Sequence, residues 1–220
     1  MKNHPPTPFR PGLMAALRPI ALGAALAGSV LSLSGCFPLA AGGALMTGIV
    51  SADRRSSGTQ LEDKNIELKA SVQIRQNIGD RAHISVTSYN RQVLLTGEVP
   101  NAQDKALAEK LVKDVENISS VLNELAVMGN SSLGERSSDA ITYGRINAAI
   151  FDAKDLSTNA FKVVVERDVA YIMGRVTARE ARRVTDVVTG VTGVRKLVRV
   201  LDIISEEELA RISPPATSQK

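Results

Sequence analysis

The sequence predicts an α+β fold made of two αββαβ units. The main observation is an internal repeat, in which residues 84–99 (ISVTSYNRQVLLTGEV) align without gaps with residues 161–176 (FKVVVERDVAYIMGRV). The segments that follow also align, with one residue fewer in the second copy. A second observation is the change within each copy from alternating to helical spacing of the apolar residues. Because units this small have marginal hydrophobic cores, we expect the two to pack on each other.

The aligned segments supply the first two strands of each unit. Apolar and polar residues alternate in them, for example from Ile84 to Val86, which is typical of a half-buried strand. A tight turn at Asn90, or at residues 167–168 in the second unit, returns the chain through a second strand. Asn and Asp suit such turns because they tolerate the left-handed conformation.

A helix follows each pair of strands. In the second unit, Thr177 and Glu180 form a capping box, which satisfies the free amides at the start of a helix. The apolar residues of both helices follow helical spacing, and they are Leu107, Leu111 and Val115 in the first unit and Ala181, Val184, Val188 and Val191 in the second. A closing strand is then predicted over residues 119–127 and over residues 195–204.

Each unit is also preceded by a predicted helix. The second of these runs from about Asp139 to Asp152. Its core stripe contains Thr142, Tyr143, Ile146, Ala149 and Ile150. The first is less regular, because residues 66–74 (IELKASVQI) alternate strictly and by period alone favour a strand. We predict a helix there because its counterpart is one.

The start of the chain predicts a signal peptide. Lys2, Arg10 and Arg18 give a basic beginning without acidic residues, and the apolar run of residues 19–33 is short for a transmembrane helix. The sequence Leu-Ser-Gly-Cys that ends at Cys36 resembles the bacterial lipobox. That resemblance implies cleavage before Cys36 and acylation of this cysteine.

Residue 37 is Phe rather than the Asp that is typical of inner-membrane retention, so we expect an anchor in the outer membrane. An ordinary signal peptide followed by an incidental cysteine is the alternative. Three of the 27 basic residues precede Cys36, so 24 remain against 23 acidic ones and the basic pI is no argument for nucleic acid.

The repeated motifs resemble the BON domain family. The residues that carry the resemblance are LLTGEV at 94–99, YIMGRV at 171–176 and the closing motif GVRKLV at 193–198. The first copy has Asn117 at the position of the glycine that begins this closing motif. The resemblance implies that each unit is a small three-stranded mixed sheet packed by two helices.

Two BON domains behind a lipobox resemble the dual-BON outer-membrane lipoproteins. This resemblance implies a non-enzymatic protein that faces the periplasm and supports envelope integrity. It also implies that the second domain contacts anionic phospholipids, such as phosphatidylglycerol and cardiolipin, through its first helix. The charges agree with this assignment, because residues 61–128 contain 8 basic and 10 acidic residues whereas residues 137–204 contain 11 and 8.

The predicted lipid-binding residues are Ile141, Tyr143, Gly144, Arg145 and Ala148. Ile141 falls outside the core stripe of its helix, on a face that it shares with Gly144, Arg145 and Ala148. The family places a bulky aromatic residue at position 141, and this chain has no tryptophan. We therefore expect weaker membrane affinity, with Tyr143 as a partial substitute. Contact with the other unit, or an isolated exposed isoleucine, is the alternative.

Other functional classes have little support in the sequence. His83 is the only histidine after Cys36, so we expect no metal site of the usual nitrogen and sulfur type, no histidine-based catalytic site and no cofactor. The main alternative function is a protein-interaction scaffold that docks on the outer-membrane assembly machinery.

The predicted organisation is a signal peptide (1–35), an acylated N-terminus with a flexible tether (36–60), the first BON domain (61–129), a linker (130–136), the second BON domain (137–204), and a short helix with a disordered tail (205–220).

Overall fold

The computed structural model describes residues 53–212 of the chain. Cys36, the predicted signal peptide and residues 213–220 lie outside this range. The first unit contains α1 (Ser57–Asn77), β1 (His83–Tyr89), β2 (Gln92–Val99), α2 (Ala102–Lys113), β3 (Ser120–Asn123) and β4 (Ala126–Val127). The second unit contains α3 (Leu133–Asp152), β5 (Phe161–Glu166), β6 (Val169–Thr177), α4 (Ala178–Thr189) and β7 (Lys196–Ile204), and α5 (Glu206–Ile212) follows it.

Each unit forms one small mixed sheet. In the first, β1 and β2 form an antiparallel hairpin, and β3 and β4 pair parallel with β2. In the second, β5 and β6 form the hairpin and β7 pairs parallel with β6. The closing strand of the first unit is interrupted between β3 and β4, where the Leu125 amide donates a hydrogen bond of 3.2 Å to the side chain of Asn123. The predicted α+β class with two αββαβ units is confirmed.

Two helices begin earlier than the sequence predicted. Helix α1 begins at Ser57, and the side chain of Ser56 caps its N-terminus. Residues 57–60 therefore belong to a helix and not to a flexible tether. Helix α3 begins at Leu133, inside the predicted linker, because Ser132 and Glu135 form a capping box. The irregular segment 66–74 is helical, and the spacing of four between its buried residues, Ile66, Ala70 and Ile74, explains why.

The hairpin turn of each unit is fastened to the helix that precedes it. Residues Asn90 and Arg91 both have positive φ angles, and so do the corresponding residues 167 and 168. The amides of Asn90 and Arg91 each donate a hydrogen bond of 2.8 Å to Asp63 on α1. The two amides of the second turn donate to Asp139 on α3 at 2.9 and 3.0 Å. A carboxylate thus fixes each turn.

Both helices of a unit pack on the same face of its sheet. In the first unit, residues of α1 and α2 form one apolar cluster with Val93, Leu95 and Val99 of β2. In the second unit, α3 and α4 pack in the same way on Ala170 and Ile172 of β6. The opposite face of each sheet therefore has no helix of its own unit to cover it.

The two uncovered sheet faces pack against each other. Tyr89 and Leu94 of the first sheet meet Tyr171 and Met173 of the second in a buried apolar cluster. Polar contacts flank this cluster, including one between Lys162 and the carboxylate of Glu67 at 2.7 Å. The expectation that the two units pack on each other is confirmed.

The segment before α1 also joins the units. The guanidinium of Arg54 donates two hydrogen bonds of 2.7 Å to the carboxylate of Glu180, at the start of α4, and a third to the carbonyl of Arg175. Both ionic side chains are buried. Since Glu180 also belongs to the capping box with Thr177, one carboxylate both caps α4 and binds Arg54.

We expect the substitution Asp63→Ala to lower the free energy of unfolding by about 2–4 kcal/mol, because it removes the acceptor of two turn amides and of the buried Ser88 hydroxyl. Burial alone would raise the pKa of Asp63, but hydrogen bonds from Ser88, Arg91 and Arg55 outweigh it and lower the pKa. The stabilisation is therefore present above about pH 4 and is lost as the pH falls below it.

Urea unfolding at pH 7 and between pH 4 and pH 2 measures both effects. The substitution Asp186→Ala, at an exposed position of α4, is the matched control and should change the stability by less than about 0.5 kcal/mol. If Asp63→Ala unfolds like the control, Asp63 does not hold the turn.

Candidate membrane-contact site

The buried side of α3 consists of Asp139, Thr142, Ile146 and Ile150. These residues face the sheet of the second unit, and Asp139 reaches the hairpin turn. Ala149, which was predicted in the core stripe, is half-buried. The remaining circumference of the helix is free to face solvent.

The opposite side of α3 is exposed and carries three large apolar side chains. Leu133, Ile141 and Phe151 are 82%, 57% and 73% exposed. At about 100° per residue they lie within roughly 80° of one another around the helix axis. Gly144 and Ala148 lie between them and are also exposed. We call these five residues the outer face of α3.

Tyr143 does not belong to this face. It was predicted both in the core stripe and in the lipid-binding set, but it is 48% exposed and lies about 200° around the helix from Ile141. Its side chain borders a groove with Val163, Val164 and Glu166 instead. The structure therefore brings Ile141, Gly144 and Ala148 together and separates Tyr143 from them.

Arg145 flanks the outer face of α3. It is exposed, and its Nη1 donates a hydrogen bond of 3.3 Å to the carbonyl of Thr192, in the turn between α4 and β7. Among the described residues no carboxylate forms an ion pair with it. Its full positive charge is therefore available beside the apolar side chains.

The turn that contacts Arg145 approaches α3 closely. Gly193 in this turn has a φ of +102°, and a Cβ atom added to it would lie 2.4 Å from Oγ1 of Thr142. The glycine thus allows the turn to pack directly against the helix. This requirement explains the first residue of the GVRKLV motif.

The corresponding face of the first unit is different. Asp63 matches Asp139 in the repeat, so Leu68, Lys69 and Val72 match Gly144, Arg145 and Ala148. Leu68 and Val72 are 65% and 40% exposed. They border a groove that also contains Asp114 and Glu116, and Nζ of Lys69 lies 3.4 Å from the Glu116 carboxylate.

This difference leaves only the second unit with a basic side chain that is not paired with a carboxylate at this position. Asn117 occupies the position of Gly193, so Glu116 of the first unit matches Thr192 of the second. The basic residue of the first unit lies 3.4 Å from a carboxylate, whereas Arg145 contacts a neutral carbonyl. Carboxylates beside an apolar surface disfavour an anionic membrane.

Sequence reasoning missed Leu133 and Phe151. Leu133 was assigned to the linker, because the predicted helix began six residues too late. Phe151 was not placed on any face. The capping pair Ser132 and Glu135 was the available signal, and a helix drawn from it places both residues in line with Ile141.

The chain also matches known proteins. A family model described as "BON domain" matches it twice, at residues 63–129 and at residues 138–205. The chain belongs to the BON domain family. The two matches confirm the predicted dual-BON architecture.

Two curated relatives extend this similarity. The outer membrane lipoprotein DolP of Haemophilus influenzae is 31% identical over 84% of this chain and 96% of its own length. The 21 kDa hemolysin of Actinobacillus pleuropneumoniae is 25% identical over 69% of this chain and 79% of its own length. The first of these matches supports the predicted localisation as a lipid-anchored protein of the outer membrane.

Among solved structures, the C-terminal domain of CdsD from the type III secretion system of Chlamydia trachomatis covers 63% of this chain, with 11% identity and a TM-score of 0.28. That similarity is too low to support any conclusion. Within residues 53–212, no helix is both long and apolar enough to cross a membrane.

Two glycine substitutions test the packing around α3. Gly193→Ala should lower the free energy of unfolding by about 1–3 kcal/mol, because the added methyl group meets Thr142 and the φ angle is unfavourable for alanine. Gly144→Ala should raise it by about 0.5–1 kcal/mol, because this helical glycine faces open space. Urea unfolding measures both, and equal stability of the two variants would contradict the close approach of the turn.

Proposed function

We propose that the protein is anchored through acylated Cys36, faces the periplasm and supports envelope integrity by binding anionic phospholipid with its second BON domain. The observation that carries this proposal is the outer face of α3, where Leu133, Ile141 and Phe151 are exposed beside the unpaired charge of Arg145. The names of the family and of its lipoprotein relative point to a non-catalytic protein, in agreement with a binding role.

The contact resembles the partial insertion of an amphipathic helix into the headgroup region. Three apolar side chains enter the boundary between headgroups and acyl chains, each with a gain of about 25 cal/mol per Å² of buried apolar surface. Arg145 adds about 1 kcal/mol near anionic headgroups. Such a contact is weak by itself, but the acyl anchor keeps the domain at a high local concentration near lipid.

Phe151 changes the expectation of weak affinity. The sequence suggested that the aromatic residue typical of the family was missing and that Tyr143 was its substitute. Phe151 lies on the same face as Ile141, about 15 Å along the helix at 1.5 Å per residue. Phe151 therefore supplies an aromatic side chain on this face. Tyr143 does not, because it lies on another side of the helix.

The anchor is tested separately. Cells that express the full chain and grow with a clickable fatty acid should label the wild-type protein and fail to label Cys36→Ala. Because the signal peptide of that variant is no longer cleaved at a lipobox, its apparent mass should also increase. Labelling of Cys36→Ala would show that the anchor is elsewhere.

Lipid binding is tested by flotation of a chain that starts at residue 37. It should float with vesicles that contain phosphatidylglycerol or cardiolipin and stay at the bottom with vesicles of phosphatidylcholine alone. Ile141→Glu and Phe151→Glu should each reduce binding about tenfold or more, because a carboxylate replaces an inserted apolar side chain. Leu68→Glu, at an equally exposed position of α1, is the matched control and should float like the wild type.

Two variants test the contribution of the Arg145 charge to lipid binding. Arg145→Ala should weaken binding to anionic vesicles about fivefold, which corresponds to about 1 kcal/mol. Lys69→Ala should change binding much less, since this lysine lies beside the carboxylate of Glu116 and on the other domain. The effect of Arg145→Ala should shrink in high salt, and equal effects of the two variants would contradict a specific role for Arg145.

The groove on the first domain favours a second candidate function, in which the protein docks on another envelope protein. Leu68, Val72 and Leu111 line this groove. If anionic vesicles do not bind the chain, the lipid proposal fails. In that case the variant Leu68→Glu, and not the variant Ile141→Glu, should fail to support envelope integrity in cells.

A further inference from the structure

Three potential metal ligands meet where the two sheets face each other. His83 begins β1, and Glu98 lies directly opposite it on β2. Glu166 is the last residue of β5 in the second domain. One donor atom of each side chain lies within 4.8 Å of the donor atoms of the other two. No local pattern in the sequence indicates this group, because its members come from three strands and two domains.

The imidazole of His83 has an unused ligand atom at this place. Its Nδ1 is shielded from solvent and has no hydrogen-bond partner among the described residues. The nearest carboxylate oxygen, Oε2 of Glu98, is 3.4 Å away but is not aligned for a hydrogen bond. Buried polar atoms are normally paired, so a buried nitrogen without a partner calls for an explanation.

The charges around the group leave it negative. Glu98 is fully buried, and its Oε1 accepts a hydrogen bond of 3.3 Å from Arg167. Its Oε2 faces His83 and has only a long contact of 3.4 Å with Ser131. The carboxylates of Glu98 and Asp139 both face Glu166. Arg136 and Arg167, the basic residues that face the group, only partly offset these carboxylates.

We propose that His83, Glu98 and Glu166 bind a Zn²⁺ ion that joins the two BON domains. One imidazole nitrogen and two carboxylate oxygens form a ligand set that zinc accepts, with bonds of about 2.0–2.1 Å. In a tetrahedral site such bonds place the ligand atoms about 3.3 Å apart. His83 and Glu98 already have this spacing, at 3.4 Å.

Only Glu166 has to move closer to complete the set, by about 1.5 Å at most. A groove of about 370 Å³, bordered by His83, Arg136, Tyr143 and Glu166, leads to the site from solvent. This groove gives the ion an entry path and leaves room for water at the fourth position. Mg²⁺ is a poor competitor, because it requires octahedral coordination by oxygen.

The zinc proposal does not depend on lipid binding, since the outer face of α3 and the proposed zinc site share no residue. Metal binding would instead stabilise the packing of the two domains, because the ligands come from both. A ligand that binds only the folded state raises the melting temperature in proportion to the logarithm of its concentration.

The test uses the protein purified in detergent without a histidine tag and stripped with EDTA. Isothermal calorimetry with ZnCl₂ should give one saturable site per chain, and the melting temperature should rise by several degrees. Co²⁺ should bind at the same site with the visible absorption bands of tetrahedral coordination. An equal concentration of MgCl₂ should produce neither effect.

The variants His83→Gln and Glu166→Gln should each weaken zinc binding at least tenfold, while the exposed control Glu116→Gln should bind like the wild type. Both affected side chains are partly exposed, so the variants should fold, and circular dichroism verifies this. If either variant fails to fold, the cobalt spectrum of the wild-type protein decides the question. Absence of a saturable site, octahedral cobalt bands, or wild-type affinity in a folded His83→Gln variant would overturn the proposal.

Discussion

The packing of the two sheets against each other is the constraint on which the rest of the structure depends. Each domain has two helices on one face of its sheet and none on the other. A domain of this size buries only about 60% of its potential surface, so an exposed apolar sheet face would be hard to tolerate. The contact of Tyr89 and Leu94 with Tyr171 and Met173 removes both faces from water. The two domains therefore stabilise each other, and four layers result in the order helices, sheet, sheet, helices.

This arrangement determines which surfaces are available for function. The helices form the two outer layers, so α3 presents its outer face to solvent while the sheet of the second domain is covered. The polar contacts at the rim of the sheet packing, such as Arg54 with Glu180 and Lys162 with Glu67, hold the domains in one orientation. The same orientation brings Glu166 to His83 and Glu98. Membrane contact would thus use an outer layer that this packing leaves exposed. Metal binding would use the space between the two inner layers.

Local signals explain how much of the fold could be predicted from the sequence. The repeat is visible when the two halves of the chain are aligned. The strand alternation, the hairpin turns and the capping box at Thr177 are readable from neighbouring residues, and each corresponds to an observed element. The positions of Arg54 and Asp63 could not be predicted, because their partners are distant in the sequence and meet them only in the folded chain. For the candidate site, Ile141 and Arg145 followed from helical spacing, whereas Leu133 and Phe151 depended on where α3 begins.

The comparison of the two domains separates what the fold requires from what differs between them. Asp63 and Asp139 occupy matching positions and perform the same task, which is to hold the hairpin turn. The positions around them differ: Lys69 pairs with Glu116, whereas Arg145 meets the neutral carbonyl of Thr192. Since the shared fold does not require this difference, it reflects the surroundings of each outer helix. An unpaired arginine beside exposed apolar residues suits an anionic lipid surface, and a lysine beside a carboxylate in an acidic groove suits water or a protein partner.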